Sequence, residues 1–526
     1  MSFSRKLRKL IKHPISFFVD ARLNKKNALI KNVDLNKNNT KPNVKIYNEV
    51  VNFANNYPVN SLRYNDEYVW PYVRHHLLVQ LTAVSIGKLN YRMSNPFLLQ
   101  LGNPEGIKFE KCKEFAEKYN FKFLEQIDEN REGVDFLFFT ALNASEQVYL
   151  EDKIYYRITD PVYEAAKKIG TALKIELIRN NSPAIHKVND YFHKALHIFS
   201  PRIIKSGFSG FVSIGSDFNK YSKRFLPSLS FSDKEMMEII DWEFHTRDFY
   251  LELLRKFKPS IIFVSSFHYS APLISAAKTL GIKSVDLQHG IQVGYNPLYN
   301  SWNELPKNGY QSLPDMFFVW GQKEYNNIKK VFGSYNHKPI IAGNPYFWKL
   351  AEMESTLSQN LIKKLKERSI NILLILQSQT EIPSLFKDII NFSSKDVMWF
   401  IRHHPKGKKF SIDDFTEDHS RVCMNDEVDT IPVIDLLKNM QATLSEGSTV
   451  ALEGDALGVA AFIVSSTGYE NYKMEIDQKK FYYVNSVESF NQIIADIDFN
   501  ERSSRTNPFP QIDLTELLKN LLKNKV

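Results

Sequence analysis

The sequence has little cysteine and no long apolar run, and both absences narrow the class of protein. Its 526 residues include two cysteines, Cys112 and Cys423, in unrelated surroundings, which argues against a disulfide framework and favours the cytoplasm. No apolar stretch is long enough to span a bilayer, and no segment has the pattern of a signal peptide. No His/Cys cluster has metal-ligand spacing, so the sequence predicts no metal and no cofactor.

Signature motifs of several enzyme classes are also missing. The chain contains no Walker A loop, no GxGxxG fingerprint and no GxSxG nucleophile elbow. Its composition is that of a globular protein, with 43% hydrophobic and 24% charged residues, and its length predicts two to four domains. The net charge of +9 suits an anionic membrane surface or a phosphate-bearing substrate. Nucleic acid is the least favoured partner, because the basic residues do not alternate with aromatic residues in one array.

The first 45 residues predict a basic amphipathic helix followed by a polar linker. In residues 2–23 apolar side chains share one face of the helix and basic side chains crowd the other. This pattern is typical of a helix that lies on an anionic leaflet, here the inner face of the cytoplasmic membrane. A helix docked on the protein's own surface is the alternative.

From residue 134 onward, apolar strands alternate with amphipathic helices, which predicts parallel sheets covered by helices. The sequence predicts an α/β fold with an N-terminal domain at 46–314, including a helical lead-in, and a second domain at 315–499. Residues 500–526 form a linker and a final helix. Predicted strands lie at 135–140, 172–178, 260–265, 284–288, 315–321, 339–343, 370–376, 397–401 and 460–464.

Polar residues follow two neighbouring strands of the first domain. Ligands in open parallel sheets bind outside the carboxyl ends of the strands, which selects Ser266, His268 and the Gln288–Gly290 segment, with Asp286 just before it. A single histidine at a strand end is often structural, but two at adjacent ends favour a functional site. His75 and His76 are predicted to be packing or surface residues.

Two stretches of the second domain carry anion-binding chemistry. The strand at 397–401 ends in Arg402, His403, His404, Pro405 and Lys406, and clustered cations suit a diphosphate or phosphodiester. A solvated basic loop is the alternative.

The second stretch comprises Ser445, Glu446, Gly447, Ser448 and Thr449, before a helix that includes Glu453 and ends near Gly458. Helix N-termini bind anions, and a carboxylate one turn further in can accept hydrogen bonds from a sugar diol. The alternative is an ordinary βαβ unit in which these hydroxyls only cap the helix.

These motifs, in this order, resemble those of bacterial surface-polysaccharide glycosyltransferases of the GT-B architecture, which have two Rossmann-like domains facing a cleft. Gln288–Gly290 is similar to the QHG element of capsule and cell-wall polymer transferases. Arg402–Pro405 is similar to the HP motif of sialyltransferases, capsule Kdo transferases and CDP-glycerol glycerophosphotransferases. Ser445–Thr449 looks like the donor-phosphate element of these families. The likeness covers about residues 130–470 as architecture.

The resemblance implies a metal-independent transferase that uses a nucleotide-sugar donor and a glycan or lipid-linked glycan acceptor. Arg402, His404, Lys406 and Ser445–Thr449 would stabilise the departing phosphate, and Glu453 would hold the ribose. His289, or else His268, would act on the acceptor, with Asp286 orienting a neighbour or capping the turn. Transfer of a polyol phosphate from a CDP-glycerol-type donor and non-catalytic binding of a nucleotide sugar are the alternatives.

Overall fold

The computed structural model describes residues 42–85, 122, 124–128, 132–140, 146–178, 190–199, 212–213, 218–227, 233–302, 305–333, 336–355, 357–377, 381–405, 407–499 and 507–523. The predicted helix at 2–23 and Lys406 lie outside these residues. Among the helices of the described part, none is long and apolar enough to cross a membrane.

Seven parallel strands form the first sheet, in the spatial order β7-β6-β5-β4-β1-β2-β3. The strands are β1 Phe136–Thr140, β2 Ala172–Ile178, β3 Leu196–Phe199, β4 Ile261–Ser265, β5 Lys283–Leu287, β6 Met316–Val319 and β7 Lys338–Ile341. Every residue of β1 and β4 is buried, as expected for apolar runs covered on both faces. The strand order reverses between β1 and β4, the kind of position at which such sheets bind ligands.

Six parallel strands form the second sheet, in the order β10-β9-β8-β11-β12-β13. The strands are β8 Ile370–Ile375, β9 Val397–Arg402, β10 Val422–Cys423, β11 Ala442–Ser445, β12 Ala460–Ile463 and β13 Phe481–Tyr483. Here the order reverses between β8 and β11. Both sheets therefore have Rossmann-like topology, and the predicted α/β fold with two such domains is confirmed.

Helices and short antiparallel strands complete the described residues. The antiparallel pairs are Arg63–Tyr64 with Glu67–Tyr68 and with Val212–Ser213, and Gln147–Leu150 with Lys153–Tyr156. The helices are α1 Pro42–Asn56, α2 Trp70–Ser85, α3 Asp160–Lys167, α4 Phe218–Phe225, α5 Asp233–Phe257, α6 Ala271–Thr279, α7 Gln322–Phe332, α8 Pro345–Glu352, α9 Gln359–Leu365, α10 Ser384–Phe392, α11 Asp426–Thr430, α12 Val433–Leu437, α13 Val450–Ala456, α14 Ser466–Asn471, α15 Lys473–Asp477, α16 Val487–Asp496 and α17 Leu514–Lys523.

The change of sheet does not fall at the predicted domain boundary of 314/315. Strands β6 and β7 pair with β5 and with each other in the first sheet, and α17 packs against α3 of the first domain. Local sequence pattern identifies these strands and the helix, but membership of a sheet is decided by hydrogen-bond pairing between distant segments. The chain therefore passes to the second sheet through α8 and α9.

The two domains meet through a shared apolar cluster. Tyr155 and Trp320 from the first domain pack in one cluster with Ala451 and Leu452 of α13. At its edge, Nζ of Lys323 on α7 lies 2.8 Å from a carboxylate oxygen of Glu475 on α15. These contacts bring the first domain beside the helix that follows Ser445–Thr449.

Candidate functional site

Strand register places the two predicted segments of the first domain side by side. Ser265, the last residue of β4, is opposite Leu287, the last residue of β5. Just beyond these ends, Oγ of Ser266 lies 3.0 Å from Nε2 of His289 and 3.2 Å from Nδ1. Burial, together with the positive charge of Arg157, lowers the pKa of His289 to about 4. His289 is therefore a neutral imidazole at pH 7, able to accept a proton.

Asp286 stabilises this edge of the sheet through hydrogen bonds. One carboxyl oxygen accepts the Phe267 N–H at 2.9 Å and the other accepts the Tyr299 hydroxyl at 3.0 Å. Asp286 is fully buried, and burial raises its pKa to about 8. Through these contacts Asp286 fixes the Phe267 backbone and the Tyr299 side chain; its role in orienting a catalytic group stays a prediction. The same contacts also hold Ser266 in place, whose φ of 65° lies in the left-handed region, a strained conformation for serine that occurs often at functional sites.

Two further imidazoles lie near His289. One is His268, a predicted site residue, and the other is His75, which was predicted to be a packing or surface residue. The ring of His268 is 6.5 Å from that of His289 and 5.1 Å from that of His75 on α2. Nδ1 is buried without a hydrogen-bond partner in both His268 and His75. Burial lowers the pKa of His268 well below its ordinary value and that of His75 to about 3. His76, by contrast, is paired with Glu243 at 2.7 Å, a packing role as predicted.

Gln288 and Gly290, the other two residues of the QHG element, have different structural roles. The Gln288 side chain accepts the Trp320 N–H at 2.6 Å and donates to the Gly290 carbonyl at 2.9 Å, so it ties β5 to the end of β6. A Cβ added at Gly290 would meet nothing within 4 Å. Its backbone φ lies outside the left-handed range, so no special turn requires glycine here. The space in front of Gly290 remains available to a ligand.

In the second domain, Ser445 organises the Ser445–Thr449 turn. Its fully buried hydroxyl accepts the N–H groups of Gly447 at 3.2 Å and Ser448 at 3.1 Å. The Ser448 hydroxyl accepts the Val450 N–H at 3.3 Å, whereas Thr449 makes no side-chain cap. Ser448, and not Thr449, thus makes the side-chain contact at the start of this helix. The serine hydroxyls shape the turn, which leaves less of the helix N-terminus for a ligand than the sequence suggested.

A close approach of two backbones fixes the turn from the other side. Gly447 has φ 147°, and a Cβ there would lie 2.9 Å from Cα of Gly468 on α14. The Ser465 hydroxyl donates to the Glu446 carbonyl, and the Tyr472 hydroxyl donates to the Ser448 carbonyl at 2.9 Å. The backbone of the predicted phosphate turn is therefore held rigidly before any ligand binds.

In the HP motif, Arg402 and His403 make hydrogen bonds within the protein, and His404 and Pro405 are more exposed than His403. His403 is buried; its Nε2 accepts the Phe410 N–H at 3.0 Å, so Nδ1 carries the proton and donates to Asp429 at 2.9 Å. His404 is half-buried and Pro405 exposed at the same strand end. Nη1 of Arg402 donates to the carbonyls of Val428 and Ile431 at 2.7 and 2.6 Å. Of the two imidazoles of the motif, His404 is therefore the more exposed.

Glu453 is the most poorly satisfied acidic group of the site. Glu453 is 2% exposed, and its Oε2 is buried with no hydrogen-bond partner among the residues that the structure describes. Burial raises its pKa, while the charges of Arg157 and Arg402 oppose that rise. A buried carboxylate with an unmade hydrogen bond is costly, so the arrangement fits a group that receives a ligand hydroxyl.

Arg157 and Tyr346 are two site residues that the sequence analysis missed. Both lie in the electrostatic environment of Glu453 and Arg402, and Arg157 Nε and the Tyr346 hydroxyl are buried without hydrogen-bond partners. Arg157 follows a short hairpin strand, and Tyr346 is the second residue of α8, whose N-cap is Asn344; neither has a motif. The one available signal was the position of Tyr346 just after the carboxyl end of β7.

The structure thus brings together His289, His268 and Asp286 at one sheet edge and Arg402, His404 and the Ser445–Thr449 turn at the other. Arg402 and Ser445 are both level with Ile375 across neighbouring strands. Within the described residues, no group of three or more His, Cys, Asp or Glu side chains is arranged to hold a metal ion. Metal independence stays a prediction.

Comparison with known proteins gives no family assignment. No family model matches the chain, and no curated protein matches it. Among solved structures, the chain is similar to the UDP-GlcNAc 2-epimerase of Methanocaldococcus jannaschii (13% identity, TM-score 0.47, 74% of this chain and 99% of that one). It is also similar to the UDP-GlcNAc 2-epimerase of Neisseria meningitidis (14%, 0.43, 74% and 99%) and to the glycosyltransferase SnogD of Streptomyces nogalater (14%, 0.42, 75% and 100%). With TM-scores below 0.5, these likenesses carry no inference about the activity of this chain.

Proposed function

We propose that this protein is a glycosyltransferase that moves a sugar from a nucleotide-sugar donor to a surface polysaccharide, either capsule or lipopolysaccharide. The observation that carries the proposal is the pairing of two unlike sheet edges. One presents a buried neutral base, His289, and the other presents an unsatisfied buried carboxylate, Glu453. The charge of Arg157 acts on both groups, so they border one region of the molecule.

The second domain holds the nucleotide in this mechanism. Glu453 accepts hydrogen bonds from the ribose diol, which satisfies its unmade contact. Ser448, Thr449, Arg402 and His404 surround the diphosphate and stabilise the negative charge that develops as the sugar leaves. The rigid turn at Ser445–Thr449 adds to this effect, because donors that are already in position need no reorganisation during the reaction.

The first domain supplies the proton chemistry. The acceptor hydroxyl approaches from the side of β4 and β5, and His289 takes its proton as the oxygen attacks the anomeric carbon. Ser266 and Asp286 fix the position of the imidazole. A pKa near 4 keeps His289 unprotonated over the whole neutral range, so its ring is free to accept a proton at the start of each turnover.

A donor-turnover screen tests this function. Purified protein is incubated without added metal with UDP-, GDP-, CMP- and CDP-linked donors, and the released nucleotide is measured. We expect slow release from one donor, lost in His404→Ala. A phosphorus-containing product would instead indicate transfer of a polyol phosphate, and release from no donor, with no nucleotide bound, would contradict the proposal.

We further propose that residues 2–23 attach the protein to the inner face of the cytoplasmic membrane, since their basic and apolar faces suit an anionic leaflet. The test is co-sedimentation with vesicles containing phosphatidylglycerol, against vesicles of phosphatidylcholine alone. Deletion of residues 2–23 should abolish sedimentation with the anionic vesicles. Sedimentation that persists after the deletion would show that the helix is not the anchor.

A further inference from the structure

The position of Arg157 is set by the hairpin that precedes it. Its N–H donates to the Glu146 carbonyl at 2.9 Å, and Tyr155, two residues earlier, stacks on Tyr346 with ring centroids 6.2 Å apart. Arg157 directly follows the hairpin strand, which ends at Tyr156, and its charge acts on Tyr346 of α8 and on Glu453 of the second domain. It therefore lies near both elements, although the hairpin belongs to the first domain.

Among the described residues, three buried polar atoms near this point have no hydrogen-bond partner: Nε of Arg157, the hydroxyl of Tyr346 and Oε2 of Glu453. Arg157 and Glu453 are a basic and an acidic residue, yet among the ion pairs of the described residues they do not form one. Buried polar groups are nearly always satisfied in folded proteins, so these unmade hydrogen bonds suit a polar ligand that would complete them.

The neighbours of Arg157 identify which part of a ligand would lie there. Its charge acts on Glu453, the proposed ribose contact, and on His289, the proposed base, so both groups lie in its electrostatic environment. It also lines a small cavity with Gln288 and Asn344, beyond the carboxyl ends of β5 and β7. In a nucleotide sugar, the diphosphate is the group between the ribose and the reacting carbon.

We propose that Arg157 is a catalytic residue that binds the donor diphosphate from the first domain. This proposal rests on the proposed function. In the reaction the bond between the anomeric carbon and the phosphate oxygen breaks, and its electron pair stays on that oxygen. The acceptor oxygen forms the new bond to the anomeric carbon, and its proton passes to His289. The Arg157 guanidinium donates hydrogen bonds to the phosphate oxygens as their charge increases.

A diphosphate bound at Arg157 would contact both domains at once, because Arg402 and Glu453 belong to the second domain and Arg157 to the first. A free nucleoside lacks the phosphates and reaches only Glu453 and its surroundings. The contribution of Arg157 should therefore appear in the difference between nucleotide and nucleoside affinity.

The test measures binding by isothermal titration calorimetry of UDP, GDP, CDP and CMP, with the matching nucleosides, to the wild type and to Arg157→Gln. For the nucleotide that binds, we expect Arg157→Gln to weaken affinity by about 10- to 100-fold, as for a lost charged hydrogen bond. Nucleoside affinity should be unchanged. The nucleotide affinity of Arg157→Lys should be intermediate, because lysine keeps the positive charge but cannot form the bidentate hydrogen bonds of a guanidinium.

Arg247→Gln is the matched control, because Arg247 is also a partly buried first-domain arginine but pairs with Glu67 at 2.5 Å; its nucleotide affinity should equal that of the wild type. Wild-type affinity in Arg157→Gln would overturn the role of Arg157 alone, and so would an equal loss of nucleotide and nucleoside affinity. A wild-type protein that binds none of the nucleotides would overturn the proposed function as well.

Discussion

The two sheet edges that border the site are built differently. The edge of the first sheet is organised by side chains: Asp286 holds Phe267 and Tyr299, and Ser266 contacts His289. The edge of the second sheet is organised around backbone: Ser445 holds two N–H groups, and Gly447 packs on Gly468. Side-chain networks in a buried setting change pKa values, whereas a fixed backbone turn presents fixed dipoles. The first edge is suited to moving a proton and the second to holding an anion.

The largest expected effect comes from removing the base of the first edge. His289→Ala should reduce sugar transfer roughly 100- to 10,000-fold, the usual contribution of a general base, and leave nucleotide affinity unchanged. Turnover assays and calorimetry on the same preparation check this. His419→Ala, an exposed histidine paired with Asp413, is the control and should behave as the wild type. A loss of nucleotide affinity in His289→Ala would show that the first edge also contributes to nucleotide binding, which contradicts the proposed separation of the two roles.

Replacing the buried carboxylate at the second edge should reduce binding and increase stability. Glu453→Gln should weaken nucleotide affinity by about 10- to 100-fold, because the ribose loses a charged acceptor. The pKa of Glu453 is raised in the folded state, so its ionisation destabilises the fold above the unfolded pKa of about 4.3 and not below it. Urea denaturation should therefore show a higher free energy of unfolding for the variant at pH 7 and little difference at pH 4. A variant less stable at pH 7 would contradict this.

The adjacent histidines of the HP motif offer a comparison within one strand end. His403→Ala removes the partner of the half-buried Phe410 N–H and of Asp429, and should lower the free energy of unfolding by about 1–3 kcal/mol. His404→Ala should cost less stability, because His404 is more exposed than His403, and should weaken nucleotide affinity. Thermal unfolding and calorimetry on both variants separate the roles, and the reverse pattern would assign the ligand contact to His403.

The smallest expected effect is on pH dependence. Because the pKa of His289 is lowered to about 4, the rate should stay constant as the pH falls from 7 and decline only near pH 4. Burial is the main cause of this low pKa and Arg157 the secondary one, so the decline in Arg157→Gln should move upward by a small amount. A decline centred near pH 6.5 would show that the essential histidine is exposed in the working enzyme.

Much of the architecture was accessible from the sequence. Strand β2 was predicted with its observed bounds, 172–178, and the helix at 450–456 ends before Gly458, whose φ is 78°. Buried strands and glycine-terminated helices leave strong local patterns. The rule for strand ends also found Ser266 and His289, because it requires only the sheet type and the ends of the strands.

Other features depend on contacts between distant segments, which no local pattern contains. The sheet membership of β6 and β7 follows from pairing with β5. The supporting role of His403 follows from Asp429, which lies in α11. Arg157 matters because a hairpin brings it to the domain junction, and a single arginine after a short strand has no signature in the sequence.

The most direct test of the account is a crystal structure of the protein with the nucleotide released in the turnover screen. We expect the ribose to contact Glu453 and the phosphates to lie between the Ser445–Thr449 turn, Arg402 and Arg157. The terminal phosphate should face His289. A nucleotide bound away from Glu453, or with its phosphates directed away from His289, would contradict the division of work between the two sheet edges.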